Sequence, residues 1–530
     1  MPLILALGLA AGILIGATVA EKDSGERSFL SSIMKFREII TYIDRAYVDE
    51  VNTDELVETA IVKMLEKLDP HTVYIPKKEA ELSNVELKGE FEGVGIEFNI
   101  LKDTIYVVAP IAGGPSEKVG LMSGDKIVSV DGENVAGIGI NNMMVFDLLR
   151  GTKGTEVTVG IKRKSSPSIL SFTIVRDKIP RTSVEVGYML DNEIGYIKVA
   201  RFAATTYDEF MEHLTALKKQ GMKKLILDLQ GNPGGYMDRA INIADEFLSD
   251  NALIVSQEGK EKRYNAEYRA YRKGIFEEGP IIVLIDEGSA SGSEIVAGAL
   301  QDNDRALIVG RRSFGKGLVQ SPISLSDGSE LRLTISRYYT PTGRSIQKPY
   351  DEGLSEYHLD QRKRMEHGEY FHADSIKFND SLVYETKKGR TVYGGGGIMP
   401  DFFVPLDTTE TTAYYAQLFY SNALREYTLA YYEQNKKTLE KMKFEDFRKN
   451  FEVSDAMLND LVKTAESADV KLNQEELDKS KRLIKVIIKA QIARSVWKNE
   501  GYYPIINDAN EIYQQALKLF DEAEKLAAAM

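Results

Sequence analysis

The sequence predicts a multidomain α/β protein. An α/β core with a mostly parallel sheet and flanking helices is joined to a smaller β-rich module, with helical regions at both ends. Three observations carry this. The chain has 530 residues, too many for one compact core. Its hydrophobic period changes from helical to two near residue 88. After residue 193, near-continuous apolar runs alternate with amphipathic ones, the pattern of parallel strands buried between helices.

Composition narrows the function classes. The apolar fraction is 43% and the formal net charge −13, from 67 basic and 80 acidic residues. An acidic chain without clustered Lys and Arg argues against nucleic acid as the main partner. The absence of cysteine excludes disulfides, thiol catalysis and Cys-ligated metals. Residues 2–20, "PLILALGLAAGILIGATVA", carry no charge and meet "EKDSGE" directly. That stretch fits a membrane span of about 20 residues or a signal sequence ending near Ala20. The expectation is export to the periplasm or cell envelope, with residues 1–22 a signal sequence or an inner-membrane anchor.

The elements follow in order. In residues 27–87, Leu56, Val57, Ala60, Ile61, Met64, Leu65 and Leu68 recur at helical spacing, and "DPHTVYI" interrupts them. Residues 88–178 form the β-rich module: "GVGIEFNI", "TIYVVAPI" and "KIVSVDGENV" alternate, "NNMMVFDLLRG" reads as a helix, and two more strands close it. Residues 179–405 form the core, with buried strands "KKLILDL", "PIIVLI" and "RALIVG". Residues 406–530 return to helical pattern, rich in Tyr, Lys and Glu.

Chemistry concentrates in three places. "IDEGSASGSEIVAGAL" (285–300) sets Ser289, Ser291 and Ser293 where a strand hands over to a helix. Helix N–H groups and the positive end of the dipole suit an oxyanion formed there. The same residues allow a structural account: Ser291 to Glu294 is S-x-x-E, a capping box, and Ser293 is itself a candidate N-cap. Lys316, in "GRRSFGKGLVQ", is the candidate activator. A lysine acts as general base when burial lowers its pKa toward neutrality, and Ser–Lys pairs are a known variant of triad logic. Gly310, Gly315 and Lys316 also satisfy the start of a phosphate-binding loop, but Gly317 stands where Ser or Thr would bind magnesium. None of His71, His213, His358, His367 and His372 falls in a small-residue turn after a core strand.

The second place is "LDLQGNPGG" (227–235), where Gly234 and Gly235 let backbone N–H groups approach a substrate, or simply make a strand-to-helix turn. The third is "FEGVGIEF" (91–98), a Gly-flanked loop entering a strand, able to take a C-terminal carboxylate while a peptide adds to the sheet edge. With "SGDKIVSVDGENV" following, this module resembles a PDZ domain.

In their consistent order, "LDPHTVYI", the PDZ-like module, "LILDLQGNPGG", "EGSASGSEIVAGALQD", "SFGKGLVQ", "YYTPTGRSIQ" and "GGGGIMPD" resemble the carboxy-terminal processing (tail-specific) proteases over residues 30–405. The resemblance implies Ser291 as nucleophile, Lys316 as base and Gln320 as the residue orienting that lysine. It implies an oxyanion hole from the amides of Gly292 and of Gly234 or Gly235, with no metal and no cofactor. It implies that the PDZ module opens or covers the catalytic groove, and Arg150 is a candidate for that coupling or else a solvated helix end. Tails would dock along Val94, Gly95, Ile96 and Phe98, an apolar lining that favours apolar C-termini. Departures are Gly292 where Ala is usual, Gln230 where Arg is common and Ser313 for Thr. The helical end regions are candidates for a homodimer or adaptor contact. The rival function is an exported scaffold or chaperone that binds protein C-termini without cleaving them.

Overall fold

The computed structural model describes residues 29–77, 79–80, 87–111, 113–164, 166–377, 379 and 381–528. Residues 2–20, on which the export expectation rests, lie outside the described residues. The chain divides into two units, residues 1–74 and 75–530. In the first, helices at 29–46 and Thr53–Leu65 are described. The second helix is capped by Asn52, whose side chain accepts from the Glu55 N–H. Tyr74 donates to Glu58 at 3.0 Å.

The second unit begins its core with a six-stranded sheet. Its order is Val184–Met189, Ile194–Val199, Lys224–Asp228, Ile281–Ile285, Leu307–Gly310 and Phe402–Phe403. The first pair is antiparallel and the rest are parallel. Alternate residues of the same strand serve opposite faces. Leu225, Leu227, Ile281 and Val283 pack with Phe210 and Leu214 of the helix Thr206–Lys219, Ala240 of Met237–Asp245, and Ile295 of Gly292–Asp302. Ile226, Ile282 and Leu284 turn the other way, onto Ile512, Tyr513, Phe520 and Ala523. The C-terminal helices thus cover the second face of the core sheet. They also build a core of their own around Tyr414, Phe447, Leu461, Ile484 and Ile488.

Periodicity alone places the 307–339 stretch as one more strand-and-loop addition to the core. In the structure, Leu318–Ser324 and Glu330–Tyr339 leave the parallel sheet and pair antiparallel. Glu330–Tyr339 also pairs with Leu253–Gly259, which takes Ala266–Arg269 on its other side. The alternation of "ELRLTISRYY" suits a sheet with two unlike faces, unlike the continuous apolar run of "IIVLI".

The β-rich module orders its strands as Ile96–Ile100, Ile105–Pro110, Lys126–Val130, Glu156–Lys162 and Leu170–Val175. Ile105, Val107, Ile127, Val159 and Ile174 fill its core. A two-stranded ribbon, Glu90–Gly93 with Asp177–Pro180, brings its entry and exit together. Among the described residues, no helix is long and apolar enough to cross a membrane.

Candidate active site

The parallel strands Lys224–Asp228 and Ile281–Ile285 run in register, Asp228 opposite Leu284. Their carboxyl ends therefore deliver the turns 229–236 and 286–291 to the same place. The three serines divide the work there. Ser289 and Ser293 are fully buried. Ser289 Oγ donates to the Leu229 carbonyl (2.8 Å), and Ser293 Oγ to the Asn232 carbonyl (2.9 Å). The Ala290 N–H donates to that same Asn232 carbonyl at 2.9 Å. Ser291, between them, is only half-buried and has φ 54° and ψ −110°. A serine held at positive φ between a core strand and a helix is strained backbone, maintained by the bonds on either side.

The Gly-rich turn lies directly against it. At Gly234 (φ 98°) a Cβ would stand 2.7 Å from Ser291 Cβ and 2.9 Å from the Gly292 nitrogen. Only glycine fits there. The Gly234 N–H is already donated to Asn232 Oδ1 at 2.9 Å. Gly235 (φ 145°) runs against Phe202, whose carbonyl accepts from the Tyr236 N–H at 2.7 Å. Gly292 opens the helix that follows Ser291; a Cβ there would meet Phe202 Cδ2 at 3.0 Å, a close but yielding contact. Gln230 turns back on its own strand end, its amide donating to Asp228 Oδ2 at 3.2 Å.

Lys316 reaches the same corner on the loop after Leu307–Gly310. What holds the loop is Glu294. Its carboxylate is buried and accepts four hydrogen bonds. Ser291 N–H (2.8 Å) and Lys316 N–H (2.9 Å) meet Oε2, while Ser313 Oγ (2.6 Å) and Gly315 N–H (2.7 Å) meet Oε1. Burial pushes this carboxyl up to about 7, against the pull of those four donors. On the carbonyl side, the buried Tyr338 hydroxyl donates to the Lys316 carbonyl and lies 3.2 Å from the Ser291 carbonyl. Phe314 N–H donates to the Ser289 carbonyl at 2.9 Å. The backbones of Ser291 and Lys316 are thus gripped together by one carboxylate at their N–H groups and one phenol at their carbonyls.

The sequence reading saw Glu294 only as a helix cap, and it missed Tyr338. Ser313, where the resemblance leads one to expect Thr, keeps the hydroxyl that reaches Glu294. Gln320 lies just after a register shift between Val319 and itself, and its amide donates to Thr334 Oγ1 at 3.2 Å on the neighbouring strand. A second lysine supports the loop from outside: buried Lys348 places Nζ 4.0 Å from the Phe314 ring centre and 4.2 Å from that of Tyr357. Its Nζ also donates to Asp360 at 3.0 Å, and burial holds its pKa down. His213 lies on the helix Thr206–Lys219, its ring against Gly187. Among the described residues no group of three or more His, Cys, Asp or Glu is placed to hold a metal ion.

In the β-rich module, Ile96–Ile100 is an edge strand. Val94 and Ile96 are buried in the module core, and Phe98 packs against it. Phe98 also meets Phe146 edge-on at 5.9 Å, so the helix Asn142–Leu149 walls the groove along that strand. Gly95 (φ 75°) turns the chain into the strand, and its carbonyl accepts from Ile111. Arg150, at the end of the helix, lays its guanidinium over Phe146 (4.2 Å) and Phe91 (5.2 Å), and bridges Gly93 through its backbone. Arg150 is half-buried and packs between the groove helix and the connecting ribbon.

Comparison with known proteins shows the family. Residues 193–354 match the model of peptidase family S41, and residues 93–174 that of the PDZ domain. Residues 15–79 match the N-terminal domain of the activating protease CtpB, and residues 414–498 a family of unknown function. The chain is 38% identical over 328 residues to a carboxy-terminal-processing protease of Bartonella bacilliformis, covering 61% of this chain and 74% of the relative. It is 35% identical over 335 residues to carboxy-terminal processing protease CtpB of Bacillus subtilis, covering 62% and 68%. A photosystem II D1 C-terminal processing protease structure aligns with 28% identity and TM-score 0.36, over 71% of this chain and 94% of that one. The chain belongs to the carboxy-terminal processing proteases: it is a serine-type peptidase of family S41 that carries a PDZ domain.

Proposed function

We propose that this peptidase cleaves by a Ser291–Lys316 dyad, and that the carrying observation is the stitching of the Ser291 turn to the Lys316 loop through Glu294. Ser291 Oγ attacks the scissile carbonyl carbon and gives its proton to the neutral Lys316 amine. The tetrahedral oxyanion is received by backbone N–H groups. The Gly234 N–H is committed to Asn232, which leaves Gly292 and Gly235 as the pair favoured for this role. The intermediate collapses to an ester on Ser291, and the lysine returns its proton to the departing amine. Water then attacks the ester, giving a proton to Lys316, and Ser291 recovers its own. Gln320, four residues beyond the lysine, orients the amine from the adjacent strand, where its side-chain amide also holds to Thr334. The chemistry requires no metal and no nucleotide.

The substrate class follows from the PDZ domain: polypeptides with free, apolar C-termini, docked along Val94, Gly95, Ile96 and Phe98. Arg150 transmits the docking, because its guanidinium touches both the groove helix and the ribbon leading to the core. We place the domain limits at 1–22 (export segment or anchor), 27–87, 88–178 (PDZ), 179–405 (protease core) and 406–530. The uncharged run 2–20 supports export to the periplasm or envelope. The exposed apolar side chains Phe29, Leu30, Met34, Ile39, Tyr42 and Val48 support a contact with a second copy through the N-terminal helices; light scattering on the purified chain tests it, and a monomer at all concentrations overturns it.

The deciding experiment is cleavage of an unfolded protein ending in small apolar residues. Ser291→Ala and Lys316→Ala should each lose at least about a thousandfold in rate while melting normally. Cleavage by Ser291→Ala at the parent rate would remove Ser291 as nucleophile. Amidation of the substrate's C-terminus should weaken cleavage, and equal cleavage of both forms would remove the tail-reading role.

A further inference from the structure

The C-terminal helical region touches the PDZ domain on the strand that borders the peptide groove. Along Ile96–Ile100 the side chains alternate. Ile96, Phe98 and Ile100 face the module core, so Glu97 and Asn99 lie on the reverse face. There they meet two arginines from the far end of the chain. Arg494 of the helix Gln474–Ile506 pairs with Glu97 at 3.2 Å, and Arg425 of Ala423–Leu439 donates to Asn99 Oδ1 at 2.7 Å. A third cation at this face, Lys102, pairs with Glu426 at 3.0 Å.

The three cations are not equivalent. Arg494 and Lys102 each hold a carboxylate. Arg425 is exposed, its partner Asn99 is neutral, and among the described residues it pairs with no carboxylate. A full positive charge therefore stands unneutralised beside an edge that the fold leaves open. A peptide added to that edge runs antiparallel to it, and residues directly opposite one another point to the same face. With the tail's last residue opposite Ile96, its side chain turns to the apolar groove. One-for-one pairing then puts the residue third before the last opposite Asn99, with its side chain turned toward Arg425.

We propose that Arg425, supplied by the C-terminal helical region, is a specificity-determining residue that selects substrate tails with an acidic side chain third before the C-terminal residue. This rests on the reading that the PDZ domain takes free C-terminal tails. An incoming carboxylate would exchange the amide oxygen of Asn99 for a charged partner in bidentate reach of the guanidinium. The pair is solvent-exposed, so the preference should be modest and sensitive to salt. Through this contact the helical region acts as part of the peptide site as well as a cover for the core sheet.

The test uses the full chain carrying Ser291→Ala, so that peptides bind without being cut. Fluorescent peptides ending in Ala-Ala, identical except for Glu, Gln or Lys third before the last residue, are titrated by anisotropy at low and high salt. The expected result is that Glu binds about two- to fivefold tighter than Lys at low salt, with Gln between, and that the spread shrinks at high salt. Adding Arg425→Gln should collapse the spread, and Arg425→Glu should reverse the order. Equal binding of the Glu and Lys peptides, or a Glu preference that survives Arg425→Gln, overturns the proposal. Binding of none of the three peptides overturns the tail-binding reading and the proposal with it; binding of all three without charge preference overturns the proposal alone.

Discussion

Glu294 Oε2 accepts the Lys316 N–H at 2.9 Å, across 22 residues of sequence, while the same oxygen accepts the Ser291 N–H at 2.8 Å. The residue that caps the helix after Ser291 therefore also fixes the loop that carries Lys316. One side chain thus both caps a helix and anchors a loop 22 residues away.

The first prediction follows from the donor count. Four donors converge on two carboxylate oxygens, an arrangement that only the ionised form satisfies fully. In Glu294→Gln the new NH2 must face an N–H, and although Ser313 Oγ can rotate to accept, one backbone donor is stranded. A displacement of this kind at the proposed Ser291–Lys316 dyad should lower kcat by about a hundredfold with little change in KM. Steady-state kinetics with a peptide substrate measures it, and an unchanged kcat would show that the clamp does not register the dyad.

The second prediction concerns pH and has a definite sign. The Glu294 carboxyl is pushed up from 4.5 to about 7 by burial, so the folded protein binds a proton more tightly than the unfolded one. Its contribution to stability is therefore fully present below about 4.5 and declines as pH rises through 7. Catalysis moves the opposite way, because the four-donor clamp needs the ionised form. The Glu294 carboxylate in turn acts on two titratable groups: with burial it helps hold the Tyr338 hydroxyl protonated, and it opposes the burial that lowers the Lys348 amine. Activity should fall as pH drops below 7 while this group's stability contribution rises. An acid limb that is unchanged in Glu294→Gln belongs to another group.

The third prediction separates two glycines. Gly234→Ala puts a methyl 2.7 Å from Ser291 Cβ and 2.8 Å from the Ala290 carbonyl, at φ 98°. Backbone must move, so activity should fall by more than about a hundredfold, with about 1–3 kcal/mol lost from stability. Gly292→Ala meets only Phe202 Cδ2 at 3.0 Å and Ala240 Cβ at 3.4 Å, and it lies in a helix. It should retain activity within about threefold and gain up to about 1 kcal/mol. Melting curves and kcat on the pair give the answer; equal behaviour would show that the Gly234 approach to Ser291 is not required.

The sequence was legible where the chemistry is local. The serine turn, the Gly-rich turn and the lysine loop each carry a short motif at the end of a core strand, and the strands Lys224–Asp228 and Ile281–Ile285 bring two of them side by side. What could not be read were bonds between distant segments. Ser289 and Ser293 look equivalent to Ser291 until their hydroxyls are found on the Leu229 and Asn232 carbonyls. Tyr338 is one of two adjacent tyrosines in "ELRLTISRYY" until the antiparallel pairing of that strand brings its hydroxyl to the Lys316 carbonyl. The helical period of residues 406–530 is plain, but periodicity does not say which surface a helix covers. Here it covers the face of Ile226, Ile282 and Leu284.

Arg150 gives the fourth prediction. Its guanidinium lies over Phe146 of the groove helix and Phe91 of the connecting ribbon. Lysine keeps the charge but loses the flat, stacking surface. Arg150→Lys should therefore lower the advantage of a substrate with a free apolar tail over its amidated form, while a short peptide without a tail is cut at nearly the parent rate. The ratio of kcat/KM for the two tailed forms reports this. An unchanged ratio would leave Arg150 with a packing role only.

The last prediction concerns the face of the core sheet that the C-terminal helices close. Ile512 is 2% exposed and packs with Leu284 and Val309, on strands whose ends carry the serine turn and the lysine loop. Ile512→Ala leaves a cavity under those strands and should cost about 2–5 kcal/mol. Phe419, 58% exposed at the surface of the same helical region, should change stability by no more than about 0.5 kcal/mol when replaced by Ala. Thermal melting of the two variants, with activity measured well below either transition, separates the cases. Loss of stability in Ile512→Ala with normal low-temperature activity means that the helices support the sheet without touching the chemistry. Normal stability in Ile512→Ala would mean that the sheet does not depend on this cover, and that the region's contact with the PDZ strand is its principal role.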